Sequence, residues 1–281
     1  MRFSSWIGRL APALASVLPA CTQVVREEDL FHPERYAPLP GDQYRRAVAV
    51  TSADGAVLRG WLLQAPGNRR TVIFFYGNAE TARSAEGTTY WLFRTLECNV
   101  LTVDYRGYGA SDGTPAFLPM LADAEALYDA LADLVPERLP VVAYGRSIGG
   151  VFATHLALRR PLAALVLGCP PAGAEDAVVA TQKQVPIPLR WFLKLRADES
   201  LTDPELQPVR VIEKVTTPLL VIHGDRDRTI PIEHGERIHA ASAASDKRWL
   251  PLPGRGHSDW DLFDPPVLEA LESLLDTHAG G

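Results

Sequence analysis

Apolar residues occur along much of this chain in short continuous runs rather than in strict alternation. Such runs lie at 71–76, 99–103, 140–144, 163–167 and 218–222. A strand that is apolar on both faces is typical of a parallel sheet covered by helices on both sides. The pattern therefore predicts the central strands of an α/β sheet.

Segments with apolar residues at helical spacing separate these runs. They predict helices at 84–97, 119–134, 150–158, 232–241 and 266–278. Strands that alternate with helices in this way form a mostly parallel sheet with helices on both faces. Active sites in such folds lie at the carboxyl ends of the strands.

The pattern changes near the start of this region, where residues 46–51 and 57–63 alternate apolar and polar positions. Ala53-Asp54-Gly55 lies between them and predicts a turn, so the two segments are expected to form a β-hairpin. A last strand is expected at 248–252.

Gly145-Arg146-Ser147-Ile148-Gly149 directly follows one apolar run and precedes a helical segment. A G-x-S-x-G turn between a strand and a helix is typical of a nucleophile elbow, which exposes a serine hydroxyl. Gly145 and Gly149 are expected to be required because the chain folds back tightly there. The alternative is a glycine-rich turn that only joins two buried elements.

A serine hydroxyl needs a base to activate it and an acid to orient that base. His257 is the predicted base, because its loop follows the last predicted strand and can reach the carboxyl edge of the sheet. The acid is expected in the turn after the strand at 218–222. Asp227 is preferred because it lies further out, toward a histidine in the neighbouring loop. Asp225 is the alternative, and could instead brace the turn.

An acyl-transfer site also needs two backbone N–H groups for the oxyanion. In this motif one comes from the residue after the nucleophile, here Ile148, and the other from the loop after an earlier strand. Gly77 follows the run at 71–76, and either Asn78 or Ala79 is expected to present its N–H. The alternative is an ordinary Gly-Asn turn.

Together, four segments resemble the α/β-hydrolase superfamily, in particular the BEM46-like group of serine hydrolases, over about residues 35 to 278. They are Tyr76-Gly77-Asn78-Ala79, residues 104–113, the Ser147 turn, and the Asp227 turn with His257. The resemblance implies hydrolysis of esters, thioesters or amides without a cofactor. It also implies a structural role for 104–113, so no chemistry is assigned to Asp104 or Arg106. The family usually has histidine where this chain has Tyr76, which predicts a different bracing of that loop.

The N-terminus has a pattern of its own. Arg2 and Arg9 are followed by the apolar segment 10–20, which is too short to cross a bilayer and is typical of a secretory signal peptide. Leu18-Pro19-Ala20-Cys21 resembles a bacterial lipobox, so Cys21 is the predicted lipidation site. A plain signal peptide and a frayed N-terminal helix are the alternatives.

These patterns predict a division of the chain into three parts. Residues 1–20 are the signal peptide, 21–42 a tether that leads into the fold, and 43–281 the hydrolase domain. Within that domain, residues 170–215 form an insertion that either caps the active site or fills a gap against the sheet. Its apolar residues are Val185, Ile187, Leu189, Trp191, Phe192 and Leu195.

Composition narrows the function further. The 281 residues are 47% hydrophobic, which suits one large α/β domain. The net charge of -6 and the lack of a basic patch argue against nucleic-acid binding. Three cysteines, Cys21, Cys98 and Cys169, make neither a disulfide framework nor a zinc site, and free, packed thiols are expected for the last two.

The sequence therefore predicts a serine hydrolase of the bacterial cell envelope, held at the membrane by lipid on Cys21. It is expected to cleave a carboxylic ester or thioester of a small acyl substrate through an acyl-enzyme, with no metal or cofactor. The alternatives are a serine peptidase or amidase of the same fold, and a binding lipoprotein without turnover.

Overall fold

The computed structural model describes residues 21–37, 40–176, 178 and 193–280. The strands, in chain order, are β1 (Cys21–Val25), β2 (Arg45–Thr51), β3 (Val57–Leu63), β4 (Arg70–Phe75), β5 (Cys98–Val103), β6 (Val141–Arg146), β7 (Ala164–Gly168), β8 (Leu193–Ala197), β9 (Leu219–Gly224) and β10 (Lys247–Leu252). The α-helices with described bounds are α1 (Glu27–Leu30), α2 (Glu86–Thr95), α3 (Phe117–Leu134), α4 (Gly149–Arg159), α5 (Pro208–Val211), α6 (Glu233–Ala241) and α7 (Pro265–His278).

Eight of these strands form one sheet in the order β10-β9-β7-β6-β4-β5-β3-β2. The β2–β3 and β3–β5 pairs are antiparallel, and the other neighbours in this sheet are parallel. Helices flank the sheet: α4 packs against β6 and β7, α2 against β5, and α6 and α7 against β9. The predicted α/β fold with a mostly parallel central sheet is confirmed.

The burial of the strands follows the hydrophobic pattern. Every residue of β4, β5, β7 and β9 is buried, because helices cover both faces of the central strands. Exposed residues alternate with buried ones along part of β2, the edge strand of the predicted hairpin. The hairpin is confirmed by the antiparallel pairing of Thr51 with Val57 and of Arg45 with Leu63.

The register of the parallel strands brings their carboxyl ends to one edge of the sheet. Phe75 pairs with Gly145, and Gly168 pairs with both Arg146 and Ile222. The loops after β4, β6, β7 and β9 therefore leave the sheet side by side. This edge is where the sequence places the serine, acid and oxyanion segments.

The segment expected as a tether is folded where the structure describes it. Its β1 pairs in parallel with β8 from the predicted insertion, with Cys21 opposite Leu193 and Val25 opposite Ala197. Val25 is buried, and so is Phe31, whose ring packs on that of Phe117 at a centroid distance of 4.8 Å. The sequence predicted a tether rather than a paired strand because β8 lies far along the chain from β1. No local pattern of residues indicates a pairing over that distance.

Most element boundaries agree with the sequence to within two or three residues. Helix α3 begins at Phe117, two residues before the predicted start. A residue far away in the sequence, Glu27, stabilises this earlier start. The Glu27 carboxylate accepts a hydrogen bond of 2.9 Å from the Phe117 amide, one of the donors that a helix start leaves unpaired.

The insertion is described only in part. Its second half contains β8, α5 and short 3-10 helices at Glu199–Thr202, Pro204–Leu206 and Ile212–Lys214. The apolar residues between 185 and 192 lie outside the described residues, as does the predicted signal peptide at 1–20. In the part of the chain that is described, no helix combines the length and apolar character needed to cross a membrane.

Candidate active site

Ser147 lies in the sharp turn between β6 and α4. Its φ of 53° is in the left-handed region, which non-glycine residues adopt at an energetic cost. The Ser147 amide donates a 2.8 Å hydrogen bond to the carbonyl of Gly168 at the end of β7, which holds the turn against the neighbouring strand. This is the backbone geometry expected of a nucleophile elbow.

Two glycines make the turn possible by allowing close backbone contact. A Cβ on Gly149 would lie 2.2 Å from the carbonyl oxygen of Phe75, and a Cβ on Gly145 would lie 2.5 Å from that of Gly149. Both distances are far below van der Waals contact, and the obstructing atoms belong to the backbone. Gly149 therefore packs directly on the end of β4, and a side chain at either glycine would collide with neighbouring backbone, as the sequence predicted.

The imidazole of His257 lies between the serine and an aspartate. Its Nε2 is 3.0 Å from Oγ of Ser147, and its Nδ1 is 2.6 Å from Oδ2 of Asp227. A proton on Nδ1 donated to the carboxylate leaves Nε2 free to accept the serine hydroxyl proton. The structure thus joins the three predicted residues in one chain of hydrogen bonds, although they lie far apart in the sequence.

The Asp227 carboxylate is fully enclosed, with its side chain 0% exposed. Its Oδ1 accepts hydrogen bonds of 2.8 Å from the amides of Thr229 and Ile230. Burial raises the pKa of Asp227, but hydrogen bonds from His223 and His257 and the charge of His257 outweigh it. The net pKa lies well below the usual range, so the group is ionised and can stabilise a protonated His257.

Asp225, the alternative acid, has a different partner. Its Oδ1 accepts a 2.7 Å hydrogen bond from the amide of Gly254. It therefore ties the end of β9 to the turn after β10, which is the bracing role considered for it from the sequence. Asp259 and Asp261, close to His257 in the chain, are exposed.

The loop after β4 passes over the serine. A Cβ on Gly77 would lie 3.4 Å from Cβ of Ser147. The Ala79 amide donates to Oδ1 of Asn78 at 2.9 Å and is thus engaged, whereas the Asn78 and Ile148 amides donate to no other described residue. The Asn78 amide is therefore the available one of the two donors considered for this loop.

The side chains of Glu80, which the sequence did not single out, and of Asn78 hold this loop in place. The Glu80 carboxylate accepts a 2.7 Å hydrogen bond from the Gly77 amide and forms an ion pair of 3.3 Å with Arg146 of the elbow. The side-chain amide of Asn78 donates a hydrogen bond to the carbonyl of Leu30. The one sequence signal for Glu80 is its position three residues after Gly77.

Tyr76, which stands where the family usually has histidine, forms a reciprocal pair with Tyr105. The Tyr76 hydroxyl accepts the Tyr105 amide at 2.8 Å, and the Tyr105 hydroxyl donates to the Tyr76 carbonyl at 2.7 Å. Both rings are buried, with centroids 4.2 Å apart. The loop is therefore braced by two tyrosines in this chain.

The 104–113 segment has the structural contacts that the resemblance implied. Oδ2 of Asp104 accepts the Tyr36 hydroxyl at 2.7 Å, and Arg106 makes two hydrogen bonds to the Asp123 carboxylate, at 2.6 and 2.8 Å. These contacts join the segment to the N-terminal region and to α3.

Both cysteines of the described domain core, Cys98 and Cys169, are free and buried, as predicted. Burial, followed by the charge of Asp227, raises the pKa of Cys169 to about 12, so it remains a thiol. Cys169, His223 and Asp227 place possible metal ligands within 4.8 Å of one another. Hydrogen bonds already engage Nε2 of the histidine and both oxygens of the carboxylate, so we interpret this cluster as support for the acid.

The predicted lipidation site is the first described residue. The backbone of Cys21 begins β1, and the preceding signal segment lies outside the described residues. Lipidation at Cys21 therefore stays a prediction.

The fold agrees with comparisons to known proteins. Residues 66–206 match the family described as serine aminopeptidase, S33. An uncharacterized protein of Mycobacterium tuberculosis, Rv2307c, is 35% identical over 240 residues, which cover 83% of this chain and 80% of the relative. The alpha/beta hydrolase domain-containing protein aho-3 of Caenorhabditis elegans is 32% identical over 217 residues, 76% of this chain but only 60% of its own length.

Among solved structures, the Pyrococcus furiosus esterase Pf2001 superimposes with a TM-score of 0.70 at 19% identity. The superposition covers 89% of this chain and 100% of the esterase. At this identity the likeness shows the fold. The match to the family goes further, because it spans half of the chain: the protein belongs to the S33 family of α/β hydrolases.

Proposed function

We propose that the protein is a serine hydrolase that cleaves a carboxylic ester or thioester through an acyl-enzyme on Ser147. The observation that carries the proposal is the continuous path from Oγ of Ser147 through His257 to Asp227, with distances of 3.0 and 2.6 Å. Such a path is the requirement for turning a weak serine nucleophile into a reactive one.

The proposed reaction has two halves. Oγ of Ser147 attacks the acyl carbon while Nε2 of His257 takes the hydroxyl proton, and the same nitrogen then delivers it to the leaving group. The Asn78 and Ile148 amides hold the oxyanion, and one such donor contributes about 3 kcal/mol to transition-state binding. In the second half His257 activates water, which attacks the acyl carbon and releases Ser147.

Ester cleavage is favoured over amide cleavage by the esterase among the structural neighbours. The description of the matched family names an aminopeptidase, and this makes an aminoacyl amide the competing substrate class. Rates on an aryl ester, a thioester and an aminoacyl arylamide separate the two. If the aminoacyl arylamide is cleaved faster than the ester and the thioester, the protein is a peptidase or amidase and not an esterase.

The decisive variant is Ser147→Ala. We expect turnover of a short-chain aryl ester to fall at least about a thousandfold, because the attacking atom is lost. Labelling by a fluorophosphonate probe is expected to disappear as well. Ser245→Ala, which changes an exposed serine before β10, is the matched control and is expected to keep both signals. A binding protein without turnover would give no labelling in the unchanged chain.

The place of action is the second part of the proposal. The lipobox-like sequence before Cys21 supports a lipid anchor at the bacterial envelope. If Cys21 is the mature N-terminus, β1 begins at the lipidated residue and the folded body lies close to the membrane. Mass spectrometry of the N-terminus from the native host tests this, since a chain that keeps an unmodified Met1 contradicts the anchor.

A further inference from the structure

A second histidine lies behind the acid of the site. His223 is in β9, and its side chain is 0% exposed. Its Nε2 is 2.8 Å from the carbonyl oxygen of Ile230 and 3.4 Å from Oδ2 of Asp227. This is the same carboxylate oxygen that contacts His257. The Asp227 oxygen thus has an imidazole on two sides.

The His223 ring is held in one orientation by its surroundings. A Cβ on Gly235 of α6 would lie 2.6 Å from Nδ1, and the Trp249 ring of β10 lies at a centroid distance of 6.4 Å. Nδ1 is buried and has no hydrogen-bond partner among the described residues. A buried N–H without a partner is costly, so we assign the proton to Nε2, which donates it to the Ile230 carbonyl.

Ile230 is held at both ends by this arrangement. Its amide donates to Oδ1 of Asp227 at 2.8 Å, and its carbonyl accepts from His223. The turn that carries the acid is therefore closed onto β9 by the histidine. A displacement of Ile230 would move the Asp227 carboxylate with it. Oδ2 of Asp227 would then lose its position beside Nδ1 of His257.

We infer that His223 is a positioning residue for the proposed reaction: by holding Ile230 and flanking Oδ2, it keeps the Asp227 carboxylate aligned with His257. The inference rests on the proposed function for its effect on turnover, although the contact it concerns exists in the resting protein. A histidine that only fills the core would affect stability without affecting this alignment.

Two substitutions at His223 separate these roles. His223→Leu keeps the volume but removes the donor, and we expect kcat to fall about 10- to 100-fold with little change in KM, because small misplacements in an active site cost that much. His223→Gln can donate to the Ile230 carbonyl from a similar position, and is expected to stay within a few-fold of the parent. Rescue by Gln is not expected if the side chain acts only through packing.

Gly235→Ala tests the same idea without changing the histidine. The added methyl group would lie 2.6 Å from Nδ1 of His223 and 2.9 Å from the Trp249 ring that packs near it, so it displaces the imidazole from its place, and we expect the same kind of fall in kcat as for His223→Leu. Gly87→Ala is the matched control, because a Cβ there meets nothing within 4 Å and the residue also lies in a helix. If His223→Leu does not fold, the comparison of Gly235→Ala with Gly87→Ala still tests the positioning role.

A spectroscopic measurement tests the positioning role of His223 independently of the proposed hydrolase activity. The low-field proton resonance of the hydrogen bond between Nδ1 of His257 and Asp227 reports the alignment whether or not the protein turns over an ester. We expect the resonance to persist in His223→Gln and to be lost in His223→Leu. A folded His223→Leu that keeps both the resonance and its kcat within twofold overturns the positioning role. Absence of turnover in the unchanged chain overturns only the proposed function.

Discussion

At the scale of single residues, the site depends on close contacts that leave no room for an added atom. Besides the elbow, this is true of Gly109 in the segment that follows β5. Its φ is +46°, and a Cβ there would lie 2.0 Å from Oδ2 of Asp104. Asp104 cannot move aside freely, because the Tyr36 hydroxyl and the Ala82 amide hold its carboxylate at 2.7 and 2.9 Å.

We therefore expect Gly109→Ala to lower the free energy of unfolding by about 3 kcal/mol, since it adds a steric clash to the cost of a left-handed residue. Gly55→Ala is the matched control. Gly55 has a φ of +87° with nothing within 4 Å of an added Cβ, so only the backbone cost of about 1 kcal/mol is expected. Urea unfolding of both variants measures the difference, and equal losses would contradict the clash.

At the scale of elements, one carboxylate connects the start of β10 to the end of α7. Asp246 accepts from Nε and Nη2 of Arg248 at 3.1 and 2.9 Å, and lies 2.7 Å from Nε2 of His278. Hydrogen bonds from Arg248 and then His278 lower the pKa of Asp246 to about 2. The connection is partly exposed, so solvent screening keeps its contribution to stability small.

The sign of the resulting pH dependence follows from this shift. The Asp246 carboxyl has a lower pKa in the folded state than its ordinary value of about 3.9, so its stabilisation is complete above pH ~4 and is lost as the pH falls toward 2. We expect Asp246→Asn to destabilise the protein by up to about 1 kcal/mol at pH 6, and the difference from the parent to shrink below pH ~4.

Urea unfolding at several pH values measures the Asp246 effect. Asp133→Asn removes an exposed carboxylate of α3 that has no ion pair with the described residues, and it controls for the loss of one surface charge. A difference between Asp246→Asn and the parent that stays constant down to pH ~2.5 would contradict the assigned contacts.

At the scale of the whole molecule, the N-terminal segment joins the insertion to the hydrolase core. Strand β1 pairs with β8, and Glu27 of α1 caps α3. Two neighbouring residues of β1 have opposite environments: Val25 is 2% exposed and Val24 is 44% exposed. The buried valine attaches the two-stranded sheet to the rest of the core.

We expect Val25→Asp to detach this small sheet, because a buried carboxylate without a partner costs several kcal/mol. Hydrogen exchange should show loss of protection in β1 and β8, while the central strands keep theirs, since local opening limits the damage. Val24→Asp places the same charge on the exposed side and is expected to leave the exchange of β8 unchanged. Equal exchange in β8 for the two variants would contradict the anchoring role of the buried Val25.

Much of the molecule follows from local sequence. The continuous apolar runs predicted the central strands, since burial on both faces demands apolar residues at every position. The G-x-S-x-G turn selected Ser147, and the order of segments along the chain selected Asp227 and His257, because each loop leaves the same edge of a parallel sheet. Asp227 was preferred over Asp225 because it lies two residues further from the end of the strand, toward the loop that carries His257.

The remainder depended on contacts between distant segments. The periodicity of the sequence does not identify β8 as the partner of β1. Nor does it indicate that Glu27 caps a helix that begins ninety residues later, at Phe117. The second partner of the acid, His223, and the choice of the Asn78 amide over that of Ala79 also came from the packed structure. Sequence specifies residue types and local periodicity, whereas hydrogen bonds between separate loops require ångström distances that only the folded chain defines.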